Sequence, residues 1–365
     1  MKRIGIDARL YFKTGIGTYL QNLLYYLDKK NLSNETFFVY LMSSDFDKVN
    51  FKNKNIIKRK ANYLWHGIGE QIGFAKMLYL DNLDLMHFTY FSYPALYFRK
   101  FIATFHDTTP LKFKTGKAST KNSILYSIKH FFFKIVVYFQ VNKANVLITP
   151  TFTVKKQLSE IFGREIEKKI IPIYEGVNYK IAQTQQNKNL AKSYRDFFIY
   201  VGNFYPHKNV EKLIGAYSKI ETTTLLILIG PDDYFVSRIQ QLINLKKINH
   251  KIIIVKNPEL RDLLFFYKNA KALIHPSLSE GFGLPIVEAM SFNTPIIASK
   301  IDVFKEILKD LYVSFDEGDE DDIKEKIIWF LKHNPKYNYE KLIARFSFEK
   351  MTDKTLKIYH DNLTS

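Results

Sequence analysis

The feature that most constrains this chain is a repeated alternation of short apolar runs with longer, helix-patterned ones, in two successive series. Residues 3–8, 37–42, 85–88, 101–105 and 146–149 read as short buried strands, while 18–27, 122–141 and 153–162 read as helices. A second series places strands at 197–202, 225–230, 251–255, 272–275 and 295–298, with helices at 209–220, 234–245, 258–269 and 285–292. Buried strands that alternate with helices belong to parallel sheets, so the pattern predicts an α/β fold. Two such series in 365 residues predict two Rossmann-like domains, each large enough for its own core. The polar stretch 183–192 has no apolar periodicity and is expected to link them. The tail after Phe346 is patterned as an amphipathic helix, with Ser347 or Thr352 as its cap and Leu356, Tyr359 and Leu363 as its apolar stripe. Such a helix must pack on something already folded.

Composition removes several chemistries. The chain has no cysteine, which excludes a disulfide scaffold, a thiolate nucleophile and a Cys-ligated zinc or iron–sulfur site. Asp7 stands where a signal peptide needs an apolar stretch, and no run of about 18 uncharged apolar residues occurs, so a soluble, cytoplasmic protein is expected. The formal charge of +18 calls for an acidic partner such as nucleic acid, phospholipid or nucleotide. It is unevenly placed: residues 1–178 hold 27 basic and 13 acidic side chains, and the remainder 27 and 23. Only 9 of the 54 basic residues are arginine, the residue that reads bases in pairs of hydrogen bonds, so no nucleic-acid partner is expected. In the basic half, Lys112, Lys114, Lys117, Lys121, Lys129 and Lys134 interleave with Phe113, Tyr126 and Phe131 to Phe133. They fit a surface meeting anionic lipid, and equally a core helix in a lysine-biased chain.

The most informative segment is Ser277-Leu278-Ser279-Glu280-Gly281-Phe282-Gly283-Leu284-Pro285-Ile286-Val287-Glu288-Ala289-Met290. It follows an apolar strand ending at His275, turns on two glycines and enters a helix at Pro285, a residue favoured at the first helical position. Amides of such a loop and helix N-terminus suit phosphate. Carboxylates beside phosphate repel it, so Glu280 and Glu288 point instead to hydroxyl groups. A sugar nucleotide would satisfy all three: Glu280 on the hexose, the 281–284 amides on the diphosphate, Glu288 on the ribose. The competing reading is a plain strand–turn–helix whose glutamates complement the helix dipole.

Glu280 and Glu288, set within Glu-Gly-Phe-Gly-Leu-Pro-x-x-Glu-Ala-Met, resemble the signature of retaining glycosyltransferase family 4, which has the GT-B fold. Further segments resemble the family in its own order: Gly15-Ile16-Gly17-Thr18-Tyr19, Thr104-Phe105-His106-Asp107, Thr149-Pro150-Thr151-Phe152-Thr153 and Tyr200-Val201-Gly202-Asn203-Phe204-Tyr205-Pro206-His207-Lys208-Asn209. Phe346-Ser347-Phe348-Glu349-Lys350 is similar to the start of the family's crossover helix, with Phe348 where Trp is common. The resemblance implies an N-terminal acceptor domain over 1–180, completed by 346–365, and a nucleotide-sugar domain over 195–345, facing a central cleft.

By the same resemblance His106 and Glu280 position the transferred sugar. Gly15 and Gly17 approach the donor phosphate, and Lys208 with the amides of Gly281, Phe282, Gly283 and Leu284 meets the leaving diphosphate. Glu288 holds the ribose. The family's basic pair commonly includes an arginine; here the neighbours are Asn203 and His207. As a dinucleotide fingerprint Gly15-Ile16-Gly17 fails, because Leu20 occupies the third glycine position and six residues intervene after the strand. Asp107 is read either as orienting His106 or as a turn cap, and His66, His87, His130 and His275 as structural or surface residues. The acidic run 316–322 precedes a helix, which explains it by dipole complementation rather than by metal. No metal and no cofactor are expected. The implied activity is retaining transfer of a hexose from a nucleotide-diphospho-sugar to a glycan or lipid-linked acceptor. Ile4-Gly5-Ile6-Asp7-Ala8-Arg9, Gly15-Ile16-Gly17-Thr18-Tyr19 and His106-Asp107-x-x-Pro110-Leu111 together resemble bacterial surface-polysaccharide mannosyltransferases, which implies mannose from GDP-mannose. A different donor such as a UDP-sugar, or a noncatalytic sugar-nucleotide-binding paralogue, stays open at this point.

Overall fold

A computed structural model of the chain describes residues 1–112 and 123–364. Phe113, Lys114, Lys117 and Lys121 of the basic aromatic stretch lie outside the described residues, as do the side chains of Tyr126 and Lys129. The chain forms two compact units. The first runs from Met1 to Leu111, resumes with a long helix through Gly176 and is completed by the tail from Ser347; the second is Val177–Phe346.

The first unit is built on a parallel sheet of order β3-β2-β1-β4-β5-β6-β7. Its strands are β1 (Lys2–Asp7), β2 (Glu35–Leu41), β3 (Ile56–Lys60), β4 (Leu85–Phe88), β5 (Phe101–Thr104), β6 (Val146–Thr149) and β7 (Ile170–Pro172). The second carries β8 (Phe197–Val201), β9 (Leu225–Gly230), β10 (Ile252–Lys256), β11 (Leu273–His275), β12 (Ile296–Ser299) and β13 (Val313–Phe315), in the order β10-β9-β8-β11-β12-β13. Each order reverses once, between β1 and β4 and between β8 and β11. In open parallel sheets ligands bind outside the strand ends at that reversal. Three strands were not expected from the sequence: β3, β7 and β13, all at sheet edges. β3 reads Ile-Ile-Lys-Arg-Lys and the other two are three residues long, so none forms the continuous apolar run by which central strands are recognised.

Helices of eight residues or more are α1 (Thr14–Leu27), α2 (Ser123–Lys143), α3 (Phe152–Phe162), α4 (Val210–Ser218), α5 (Tyr234–Leu245), α6 (Leu260–Asn269), α7 (Leu284–Ser291), α8 (Glu320–His333) and α9 (Phe348–Thr364). The acidic run works as a helix start: Asp319 accepts from the amides of Asp321 and Asp322 at the head of α8. The stretch expected to link the domains lies against the second unit, where Asn187 donates to the Asp262 carboxylate over 2.8 Å.

The tail helix α9 is capped by Ser347, whose hydroxyl accepts from the Lys350 amide. Thr352 sits inside it, donating to the Phe348 carbonyl. Its buried face is Phe348, Met351, Thr355, Ile358 and Tyr359 rather than the expected Leu356–Tyr359–Leu363 stripe; Leu356 and Leu363 are only partly covered. Tyr359 and Thr104 bracket the buried His87, each 2.7 Å from one ring nitrogen, and thereby join α9 to β4 and β5. Burial pushes His87 down to about 3, so the ring is neutral. Gly176 lies so close to the start of α9 that a Cβ there would stand 2.6 Å from the Ser347 Cα, which only glycine avoids. At the end of β1 the buried Arg9 guanidinium binds Asp7 over 2.6 Å and Glu70 over 2.7 Å, and Ser92 donates to the Glu70 carboxylate.

Candidate functional site

The loops that leave β8 and β11 meet at the reversal of the second sheet. After β8 the chain makes a single tight turn, Pro206–Lys208, closed by Asn209 in the left-handed conformation at φ 59°. Asn209 is fixed there by donating to the Glu317 carbonyl over 2.9 Å, and α4 begins at the next residue. This turn delivers Lys208, whose ammonium lies 2.6 Å from Glu280 Oε1. Ser277 Oγ donates to the same oxygen over 2.7 Å, and His275 Nε2 over 2.9 Å. Three donors therefore converge on Oε1 of one buried carboxylate. Burial alone would raise the Glu280 carboxyl, but the Lys208 charge and the His275 hydrogen bond outweigh it and hold the group well below the usual carboxylate range. His275, read from the sequence as a structural or surface residue, is buried and is a direct partner of Glu280. Burial lowers its pKa, so the ring is neutral, with the proton on Nε2. Its Nδ1 is buried without a partner, as expected for the lone-pair side of that tautomer. The ring stacks on Tyr200 of β8, with centroids 5.8 Å apart.

Beyond Glu280 the chain turns through Gly283, which takes φ +92° and caps α7. A side chain is strained in that conformation, and a Cβ would also stand 3.0 Å from Phe304. Leu284 and Pro285 open the helix, with Pro285 where its missing N–H leaves nothing unpaired. The Phe282 side chain is buried with its ring 5.6 Å from Phe346, so what this residue offers a ligand is its backbone. Glu288 follows on α7. Its Oε2 accepts from Tyr267 Oη over 2.8 Å, and burial pushes its carboxyl up to about 7 despite that hydrogen bond. The two glutamates, eight positions apart, are thus in opposite states: one locked as a carboxylate, one poised near neutrality.

His207 and Asn203 do not supply the second cation of the expected basic pair. Burial, and next the Lys208 charge, lower His207 to about 4, so it is neutral at physiological pH. Asn203 Oδ1 accepts from the Tyr205 amide within its own turn. Lys208 is the charged group of this turn.

In the first unit His106 follows β5. Its Nδ1 lies 3.2 Å from Glu175 Oε1, its Nε2 3.0 Å from the Thr89 carbonyl, and Tyr19 meets the ring edge-on at 4.7 Å. Glu175 thus orients the imidazole; the sequence reading had considered Asp107, whose Oδ1 instead accepts from the Thr109 amide and caps a turn. Glu175 was missed, and its only signal is an acidic residue inside the otherwise apolar segment Ile173-Tyr174-Glu175-Gly176-Val177. Gly15 and Gly17 were expected in a loop before the helix, but α1 begins at Thr14 and both lie in its first turn. Gly17 is required there, since a Cβ would stand 2.7 Å from the Tyr11 carbonyl, whereas Gly15 faces open space. Among the described residues no three His, Asp or Glu side chains group as a metal site. Asp233 caps α5, and in the acidic run 316–322 Asp319 caps α8.

Residues 182–345 match the family model described as Glycosyl transferases group 1. The chain is 28% identical over 270 residues to the O-antigen chain mannosyltransferase RfbU of Salmonella typhimurium, covering 73% of this chain and 70% of that protein. It is 27% identical to O-antigen chain mannosyltransferase B of Escherichia coli, over 46% of each. In fold it is similar to sucrose-phosphate synthase from Thermosynechococcus elongatus, at TM-score 0.79 and 16% identity over 99% of both chains. Anabaena HepE, solved with UDP and glucose, superposes at TM-score 0.76 and 14% identity over 99% of this chain and 100% of that one. Residues 182–345 are a glycosyltransferase group 1 domain, and the chain is a glycosyltransferase of GT-B fold.

Proposed function

We propose that the chain is a retaining mannosyltransferase, taking mannose from GDP-mannose and passing it to a glycan or lipid-linked acceptor in cell-surface polysaccharide synthesis, at the inner face of the membrane. The observation that carries this reading is the Glu280 carboxylate at the sheet reversal. Lys208, His275 and Ser277 all occupy its Oε1, which leaves Oε2 for a hydroxyl of the transferred sugar. Glu288, eight residues on, is assigned the ribose hydroxyls, and the backbone of Gly281 to Leu284 the diphosphate. His106 is assigned a hydroxyl of the sugar, taken up by Nε2 in exchange for the Thr89 carbonyl while Glu175 keeps Nδ1, and Gly15 and Gly17 the approach to donor phosphate. Mannose is favoured because two relatives with the names O-antigen chain mannosyltransferase RfbU and O-antigen chain mannosyltransferase B align with the chain.

In the reaction proposed, the bond from the sugar C1 to the diphosphate oxygen breaks, and the acceptor hydroxyl oxygen bonds C1 on the same face. The hydroxyl proton passes to the departing diphosphate. Lys208 and the loop amides stabilise charge on that leaving group, the kind of preorganised electrostatics that acts most strongly out of water. No protein nucleophile is required, and Glu280 Oε1 is already committed to three donors.

A panel of GDP- and UDP-sugars, read by saturation-transfer NMR and by slow donor hydrolysis, tests the reading. GDP-mannose should give the strongest signal. A stronger UDP-sugar signal replaces the donor, and silence from every donor overturns the proposal. Glu288→Ala should weaken donor affinity, and Glu280→Ala should mainly slow transfer.

A further inference from the structure

From Leu85 to Ser159 the chain carries eleven lysines and arginines and one acidic residue, Asp107. Within that span, α2 buries Val137, Gln140 and Val141. Its opposite face should be polar if water were its neighbour. Instead Phe131, Phe132, Tyr138 and Phe139 stand there, exposed by 62, 60, 54 and 41%. Helical spacing places 131 with 138 and 132 with 139, so the four rings form one strip. The strip continues onto a second segment: Lys143, at the end of α2, lies 4.9 Å from the ring of Phe98 and 5.3 Å from that of Phe139, and Phe98 is 70% exposed. At its other end Phe133 meets His66, at 5.2 Å, beside the exposed Leu64, Ile68 and Ile72. The one acidic residue of that last stretch, Glu70, is buried against Arg9 and contributes no surface charge.

A patch this rich in exposed aromatic side chains is rare on a surface that faces only water. Its charge pattern specifies the partner. Aromatic rings flanked by lysines, in a span whose one acidic residue is the turn-capping Asp107, match the headgroup region of an anionic bilayer, where rings enter the interface and ammonium groups meet phosphate. No helix among the described residues is long and apolar enough to cross a membrane, so contact is with one leaflet. We infer that the α2 face of the first unit, with Phe98 and Lys143 at one end, docks on an anionic lipid surface and seats Phe131, Phe132, Tyr138 and Phe139 at its interface. This deepens the proposed function, since a lipid-linked acceptor would be met at that surface, but it is measured separately from donor binding.

The test uses the full chain and vesicles of phosphatidylcholine with or without phosphatidylglycerol. The protein should sediment with the anionic vesicles and not with the neutral ones, and added salt should release it. Lys134→Ala with Lys143→Ala should lower partitioning roughly 25-fold, at about fivefold for each lysine near the surface. Phe131→Ala with Phe132→Ala should also weaken it, with an unchanged unfolding midpoint because both rings are largely exposed. In Phe132→Trp the added fluorescence, read against the parent protein, should shift to shorter wavelength on anionic vesicles alone. Equal binding to both vesicle types, wild-type binding by either double variant, or a wavelength that does not move would overturn the inference. So would a dimer in solution that the phenylalanine variants dissociate, because the face would then belong to a second copy. Donor binding that persists when vesicle binding fails would leave the proposed donor and transfer reaction standing and remove only its place at the membrane.

Discussion

Donor binding should be pH-dependent through one residue, Glu288. Burial raises its carboxyl to about 7, with the Tyr267 hydroxyl as the compensating donor among the described residues. If it accepts hydrogen bonds from ribose hydroxyls, the donor binds the ionised form preferentially. The apparent Kd is then multiplied by one plus the ratio of protonated to ionised carboxyl: about 2 near pH 7, about 10 near pH 6 and close to 1 near pH 8. That tenfold range is about 1.4 kcal/mol. Titration calorimetry with intact sugar nucleotide, in buffers of different ionisation enthalpy, should also show release of roughly half a proton per donor near pH 7. Intact donor is essential, since the diphosphate diester has no group titrating there, unlike a free nucleoside diphosphate. Glu288→Gln should bind weakly and with a flat pH profile. The sign for the unliganded fold is opposite. A carboxyl raised from 4.5 to about 7 in the folded state favours folding at low pH, and that contribution fades as pH rises through 7. A wild-type Kd unchanged from about pH 6 to about pH 8, or the same slope in Glu288→Gln, would refute the reasoning.

Four further outcomes follow from the geometry. Lys208→Ala should lower kcat on the order of 10²-fold, and the acid limb of the rate profile should move up, because burial of Glu280 is then opposed mainly by His275; steady-state rates across pH check both. Glu175→Gln should lower kcat on the order of tenfold with little change in donor Kd, through loosened orientation of His106; a matching loss of donor affinity would point to a structural role. Glu70→Ala leaves Arg9 paired with Asp7 but takes the acceptor from Arg9, the His66 amide and Ser92, and should lower stability by about 1–3 kcal/mol in denaturant titration. Tyr359→Phe leaves a ring nitrogen of the buried His87 unpaired and should lower it by about 1–3 kcal/mol in the same assay.

The strands that were legible are those buried on both faces, such as β8 (Phe-Phe-Ile-Tyr-Val) and β9 (Leu-Leu-Ile-Leu-Ile-Gly), where a continuous apolar run has no other stable place. The edge strands β3, β7 and β13 escape because half of their surroundings is solvent or helix, and Ile-Ile-Lys-Arg-Lys satisfies that without a pattern, whereas the edge strand β10 keeps an Ile-Ile-Ile-Val run and is legible. Helix starts were blurred for a related reason. Glycine weakens a helical reading of 14–17, yet the close approach of the Tyr11 carbonyl to Gly17 makes glycine the residue that permits α1 to begin there. In the tail helix the expected stripe counted large apolar residues, whereas the face that is covered includes Thr352 and Thr355. Their hydroxyls donate to carbonyls one turn back, so they are buried without an unpaired donor.

Site residues divide along the same line. Motif spacing singled out Glu280 and Glu288 together, and nothing in that spacing separates them: both follow the glycine turn's chemistry and both are carboxylates. What separates them is the partner each meets. Glu280 is reached by Lys208, 72 positions away on the loop after β8, because the sheet order puts β8 beside β11. Glu288 is reached by Tyr267 of α6, a neutral donor. A cation beside a buried carboxyl overrides the desolvation that raises it, and a hydroxyl does not, so the first is ionised at any physiological pH while the second titrates within it. His275 and Glu175 were hidden similarly, each acting on a known neighbour only after a strand end brings the two together. The division also assigns different work to the pair. Under the proposed function, a Glu280 that is ionised throughout the physiological range would hold a sugar hydroxyl at any such pH, while Glu288 would make donor affinity depend on pH.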